Sequence, residues 1–274
     1  MGSDTMTHAM RQIRKDDSIK AVVLRIDSPG GSGLASDVMW RELELLREAK
    51  PVVVSMSDYA ASGGYYIAMG ADAIVAQPGT LTGSIGVFAG KYNLGGLYDK
   101  IGLKTESIKR GEMADIFAAN QPLGEDGANK LGEFVDEFYG AFISKAADGR
   151  RVAPAAIHDV AQGRVWTGEQ ALAVGLVDEL GGFRTALDLA KEKAGLADEE
   201  VSLVLYPRQP TFLEQLLNQS SLGGALAPLL DGWNLGGALP SEQALTAAAR
   251  MVRAAPLFAD GTPVLMAPFD LQVW

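Results

Sequence analysis

Ala21-Val22-Val23-Leu24-Arg25-Ile26-Asp27-Ser28-Pro29-Gly30-Gly31-Ser32-Gly33 decides the fold. Residues 21–26 are an apolar run rich in β-branched side chains, the composition of a buried strand. The run stops at a turn signal of proline and glycines. A helix over roughly residues 35–48 follows, with Val38, Leu43 and Leu46 marking its apolar side. Pro51 opens a second strand over 52–56, and a turn comes after it. Ala60-Ala61-Ser62-Gly63-Gly64-Tyr65-Tyr66-Ile67-Ala68 then reads as a tight entry into a short helix. Strands alternating with helices at this spacing predict an α/β fold of βαβ units around a mainly parallel sheet.

The same reading extends in both directions. Upstream, Ser3 or Asp4 can cap a short helix on which Met6, Met10 and Ile13 recur at near-helical spacing. Downstream, residues 73–76 and the glycine-punctuated 83–88 read as short strands. Residues 123–147 predict a long amphipathic helix with Leu131, Phe134, Val135, Phe138, Phe142 and Ile143 as its stripe. Residues 153–160 predict a helix with Pro154 in its first turn, and Thr167 with Gln170 three positions on looks like a capping box. Beyond Pro207 the composition shifts to Leu, Gly and Pro with few charges, and 241–254 is an alanine-rich helix pattern. The expected organisation is a body over 1–206 and a partly helical C-terminal extension over 207–274, packed on the body or on a neighbouring subunit.

Composition removes several function classes. The chain has 274 residues, of which 47% are hydrophobic and 21% charged, so its bulk is globular and not disordered. With 24 basic and 34 acidic residues the net charge is −10, which argues against nucleic-acid binding. There is no cysteine, so disulfides, thiolate metal sites and a cysteine nucleophile are excluded. Only His8 and His158 could serve a metal centre or a Ser-His-Asp triad, and each reads as a surface histidine. No metal or cofactor is expected. The first residues are polar, without the apolar core of a secretory signal, and no run of about 18 apolar residues occurs.

Two glycine-rich turns, each after a strand and before a helix, sit at the carboxyl edge of the expected sheet, where ligand sites of open α/β sheets lie. Pro29-Gly30-Gly31 can aim bare N–H groups at a developing oxyanion or a phosphate, because glycine permits unusual φ and close approach. A plain strand-to-helix turn uses the same residues. Neither a Walker loop nor a GxGxxG pattern is present. In the second turn, Ser62 would stand at a positive helix end that favours its alkoxide, with the Gly63 N–H as an oxyanion donor. Taken alone, an N-cap serine is the simpler reading of Ser62. A nucleophilic Ser62 needs a base. With both histidines badly placed, a desolvated lysine is the remaining option, and Lys91, Lys100, Lys104 and Lys109 carry no local signature that picks one.

Three segments taken together resemble the signal peptide peptidase A family, also called protease IV: residues 27–32, residues 60–66, and Thr82-Gly83-Ser84-Ile85-Gly86-Val87. Gly163-Arg164-Val165-Trp166-Thr167-Gly168 and the segment 175–181 fit the same family, and the likeness covers about residues 4–200. The resemblance implies a crotonase-like fold related to the Clp protease core and a serine–lysine dyad. It implies Ser62 as nucleophile, Gly31 and Gly63 N–H groups as the oxyanion hole, and Ser84 as the serine that orients the base lysine.

The chain departs from the family pattern at the base. Short members carry the lysine in a Lys-Asp pair, whereas the corresponding residues here, 52 positions past Ser62, are Ala114-Asp115. In the long, duplicated members the second half lacks this lysine and the first half supplies it. The chain resembles that second half, with its leading strand clipped and with Pro268-Phe269-Asp270-Leu271 fitting a long-form end. The implied function is a serine endopeptidase that degrades cleaved signal peptides or small polypeptides. Its partners would be those peptides, a lysine-bearing N-terminal half or neighbouring subunit, and further copies of itself in a homo-oligomer. The implied location is the cell envelope, membrane-associated with the site outside the cytoplasm. Two other readings remain. One is a catalytically silent interaction half. The other is a crotonase-type acyl-CoA enzyme, which shares paired oxyanion donors but needs no serine.

Overall fold

Strand pairing in the computed structural model, which describes residues 2–207, follows the alternation read from the sequence. In chain order the elements are α1 (Ser3–Lys15), β1 (Val22–Ser28), α2 (Gly33–Arg47), β2 (Val52–Ala61), α3 (Gly63–Ala68), β3 (Ala73–Ala76), β4 (Leu81–Gly83), α4 (Gly95–Lys100), α5 (Glu125–Arg150), α6 (Pro154–Val160), β5 (Val165–Thr167), α7 (Gly168–Ala173), β6 (Glu179–Leu180) and α8 (Phe183–Lys193). The sheet runs β5-β4-β2-β3-β6, and β1 also pairs with β2. Every pairing is parallel except β4 with β5. The described residues fall within one compact unit, Met1–Pro207. The extension expected over 207–274 lies, beyond Pro207, outside the described residues.

Strand β2 organises the sheet. Its alternate residues feed two cores, as a two-residue period requires. Val52, Val54 and Met56 face the larger core with Leu43, Leu46, Tyr65, Tyr66 and Phe142. Val53 faces the smaller one with Val75, Ala186 and Ala190 of α8. Cover on both faces explains why the strand reads as a continuous apolar run. The expected strand end at residue 56 is wrong, and so is the turn after it. β2 continues to Ala61 because Asp27 and Arg25 satisfy its backbone where the pairing with β1 slips. Between Ile26/Met56 and Ser28/Ala60 the register shifts. There the Tyr59 N–H donates to Asp27 Oδ1 at 3.3 Å, and Arg25 donates to the Met56 carbonyl and to the Ser55 and Ser57 hydroxyls. Such a bulge bends a strand and re-aims the residues beyond it.

Other expectations need correction. β1 is only half-buried, with Ile26 alone fully enclosed, because among the described residues it pairs on one edge only. Helix α1 begins at Ser3 itself after Gly2, with no side-chain cap from Ser3 or Asp4. Val38 on α2 and Phe134 on α5 are exposed rather than part of the packed stripe. The strand expected over 83–88 stops at Gly83, since Ser84 turns to a positive φ of 49°. The capping box is present, with Thr167 accepting from the Gln170 N–H and the Gln170 side chain accepting in return.

Candidate active site

Three loops meet at the carboxyl ends of β1, β2 and β4. Ala61 pairs with Gly83 across β2 and β4, so Ser62 and Ser84 are the next residues of adjacent strands. Ser28 pairs with Ala60 on the other side, which sets the Pro29-Gly30-Gly31 turn beside Ser62. The contact is close. A Cβ on Gly30 would lie 2.8 Å from Ser62 Cβ and 2.9 Å from the Gly63 nitrogen. Gly30 also has a φ of +111°, so both its shape and its conformation call for glycine.

Ser62 is not a capping serine. Its φ of 52° and ψ of −118° resemble the first corner of a type II′ turn, where glycine is the usual occupant, and its side chain accepts no N–H of α3. A non-glycine residue in such a region costs about 1–3 kcal/mol and persists only where its surroundings over-determine it. Here the Ser62 N–H donates to the Gly83 carbonyl at 2.9 Å, and its own carbonyl accepts from the Tyr66 N–H at 2.8 Å. Buried tyrosines anchor the short helix behind it. The Tyr65 phenol, pushed up by burial so that it stays protonated, donates to the Leu176 carbonyl at 3.0 Å.

Gly31 and Gly63 lie side by side. The Gly31 nitrogen is 3.3 Å from where a Cβ of Gly63 would stand. Among the described residues neither N–H donates to another group. Ser36, a buried serine on α2 that the sequence reading overlooked, donates to the Ser32 carbonyl at 3.0 Å. Its Oγ would be 2.5 Å from a Cβ on Gly63, so it fills the space that glycine leaves. Ser84 has a left-handed φ of 49° like Ser62, and its N–H donates to the Arg164 carbonyl at 2.7 Å. The return bond, from the Gly163 N–H to the Ile85 carbonyl at 2.9 Å, fastens this loop to the start of β5.

The candidate bases lie elsewhere. His8 and His158 are exposed; His158 contacts the Tyr139 hydroxyl at 3.1 Å and Gln162 at 3.1 Å. Lys91 donates to the carbonyls of Ile116 and Ala118 at 2.8 and 2.9 Å. Lys109 pairs with Asp115 at 2.9 Å, and Lys104 lies 3.7 Å from Asp99. Lys100 and Ala114 are both exposed. Among the described residues, none of these lysines bonds to Ser62 or Ser84, and no group of three or more His, Asp or Glu side chains is arranged to hold a metal ion.

The model of the family described as Peptidase family S49 matches residues 44–197. The chain belongs to this family. Its curled, mostly parallel sheet is accordingly the Clp-protease-like, crotonase-type α/β fold. It is 45% identical over 218 residues to the Arabidopsis thaliana protein named Serine protease SPPA, chloroplastic, covering 79% of this chain and 32% of that one. It is 41% identical over 231 residues to Protease 4 of Salmonella typhi, covering 84% of this chain and 37% of that one. A Synechocystis sp. protein is 42% identical over 183 residues, which is 67% of this chain and 66% of its own. The chain thus spans about a third of the first two relatives and two thirds of the third. Among the described residues, no helix of this S49 chain is long and apolar enough to cross a membrane.

Proposed function

We propose that the chain is the serine-bearing part of an S49 endopeptidase, with Ser62 as nucleophile and the base lysine supplied by another domain or a neighbouring subunit. The observation that carries this reading is the strained, uncapped Ser62 between two unengaged N–H groups and Ser84. In the reaction, Ser62 Oγ attacks the scissile carbonyl carbon and its proton passes to the neutral lysine amine. The Gly31 and Gly63 N–H groups hold the oxyanion. The C–N bond breaks as the lysine returns the proton to the leaving amine. Water then attacks the ester, and the lysine takes and returns its proton to regenerate Ser62. Ser84, one strand over, orients the incoming lysine.

Signal-peptide remnants or small unfolded polypeptides are the substrates that fit this reading. The enzyme works as a homo-oligomer at the membrane of the cell envelope, its site outside the cytoplasm, with residues 1–206 as the peptidase body and 207–274 as an extension. A fluorophosphonate probe should label Ser62, and peptide hydrolysis should require the lysine-bearing half. Hydrolysis that survives Ser62→Ala in the assembled enzyme removes the assignment. A second reading, a silent interaction half, draws on Ala114. It predicts no labelling even with the lysine supplied.

A further inference from the structure

Tyr66 stands one turn beyond Ser62 on α3. The residue is buried, and its phenol donates to Asp37 Oδ1 of α2 at 2.7 Å. The same oxygen receives Lys145 Nζ of α5. That ammonium also lies 3.9 Å from the centroid of the Trp40 ring on α2 and 5.4 Å from that of Tyr66. Phe138 and Phe142 of α5 pack on the Tyr66 ring with centroids 5.7 and 4.6 Å away. One carboxylate oxygen therefore joins three helices. Burial pushes the Asp37 carboxyl up, but the hydrogen bonds from Lys145 and Tyr66 and the Lys145 charge outweigh it and hold it below its usual value. Burial and the Asp37 acceptor push the Tyr66 phenol up, so it remains a donor.

The position of this cluster matters more than its presence. α2 starts at the loop that carries Gly30 and Gly31, and α3 starts at Ser62. Ser62 and the Gly31 donor thus come from separate segments, yet their relative placement must hold to about 0.5 Å. α3 has only six residues and opens on two glycines, so it has little stability of its own. Stability alone does not account for the ion pair, since Lys145 and Asp37 are both partly exposed and such a pair contributes at most about 1 kcal/mol.

We propose that Asp37, Tyr66 and Lys145 are positioning residues: the Asp37–Tyr66 bond, braced by Lys145, sets the separation between the Ser62–Gly63 pair on α3 and the Gly31 N–H at the start of α2. This rests on Ser62 being the nucleophile. Tyr66→Phe keeps the ring packing and removes the tie. With the full chain and its lysine-bearing half assembled, Tyr66→Phe and Asp37→Asn should lower kcat and the fluorophosphonate acylation rate by about 10- to 100-fold. KM should stay within about twofold. Lys145→Arg should retain more activity than Lys145→Met. Wild-type acylation by Tyr66→Phe, or equal loss in both Lys145 variants, overturns the proposal. If the wild-type protein itself is not acylated, the proposed function falls instead. Amide exchange on the full chain alone then decides the clamp: faster exchange at both 30–36 and 62–66 in Tyr66→Phe supports it, and unchanged exchange overturns it.

Discussion

Residues 59–64 and residues 101–114 stand on the two sides of the proposed reaction and are built in opposite ways. Past the exposed Tyr59 the first stretch lies between β1, β4 and α2 with Ala60, Ala61, Gly63 and Gly64 buried, and its strained serine is held by hydrogen bonds at both N–H and carbonyl. The second is exposed at every residue, and its bonds are local, such as Lys109 to Asp115 and Asn120 to Thr105. Around it Phe88, Tyr92, Leu97, Ile101 and Ile108 present large apolar side chains to solvent. The contrast teaches where precision resides. In the proposed enzyme this chain fixes the nucleophile and the oxyanion donors by itself, while the region of Ala114 offers only a surface.

The strongest way to break that contrast is to disturb the enclosed side. Gly30→Ala forces a Cβ to within 2.8 Å of Ser62 Cβ at a φ of +111°. We expect about a 100-fold loss of Ser62 acylation and a destabilisation of roughly 1–3 kcal/mol, read by probe labelling and thermal unfolding. Unchanged labelling would mean that the two turns are not closely interlocked.

Adding to the open side tests the same contrast from the other end. Ala114→Lys restores the Lys-Asp pair of short family members. It should raise fluorophosphonate acylation of the chain alone by about tenfold or more, the lower range of general-base effects. No gain would place the base's route to Ser62 outside this segment.

A third test concerns the frame behind the serine. Arg150 donates to both Asp178 oxygens at 2.9 and 2.6 Å, and Asp178 in turn accepts the Ile74 N–H at 2.8 Å. Burial pushes the Asp178 carboxyl up, but Arg150 outweighs it and holds it below the usual carboxylate value. A carboxyl depressed on folding stabilises above its unfolded pKa, near 3.9, and that stability is lost as pH falls through the lower folded value. Arg150→Leu should therefore cost on the order of 1–2 kcal/mol at pH 7, less than for a fully buried pair because Asp178 is partly exposed. It should also flatten the loss of Tm below about pH 4. A variant with the wild-type acid limb would contradict this.

The smallest effect is expected on the exposed side. Ile108→Ser removes a fully exposed side chain, so the unfolding free energy of the chain should change by less than about 0.5 kcal/mol. A clear fall in Tm would show that the segment is packed after all.

Much of the frame was legible because it depends on local pattern. The continuous apolar runs at 21–26 and 52–56 announced two strands, although only the second is fully buried along its run, and Thr167 with Gln170 announced a helix start. Ser62, Ser84 and the glycine turns were legible as motifs. Their meaning was not, since a serine before a helix reads as a cap until its φ and its missing cap bond are known. Val38 and Phe134 were misplaced because helical periodicity marks a face without saying how far a partner extends along it. The continuation of β2 to Ala61 was hidden for a related reason. Residues 57–59 carry a polar pattern, and the groups that satisfy this stretch are distant in sequence: Asp27 accepts the Tyr59 N–H, Arg25 donates to the Met56 carbonyl and the Ser57 hydroxyl, and Thr80 donates to the Ser57 carbonyl.

By itself, then, the sequence determined the α/β class, the family likeness and the absence of any cysteine or well-placed histidine, all properties of residue type and near spacing. Only the tertiary structure decided that Ser62 is strained rather than capping, that Gly30 abuts it, and that Asp37, Tyr66 and Lys145 share one oxygen. The shared oxygen of Asp37 alone joins residues 29 and 108 positions away from it. These relations are fixed by strand register and helix packing, and neither is written in any local stretch of the chain.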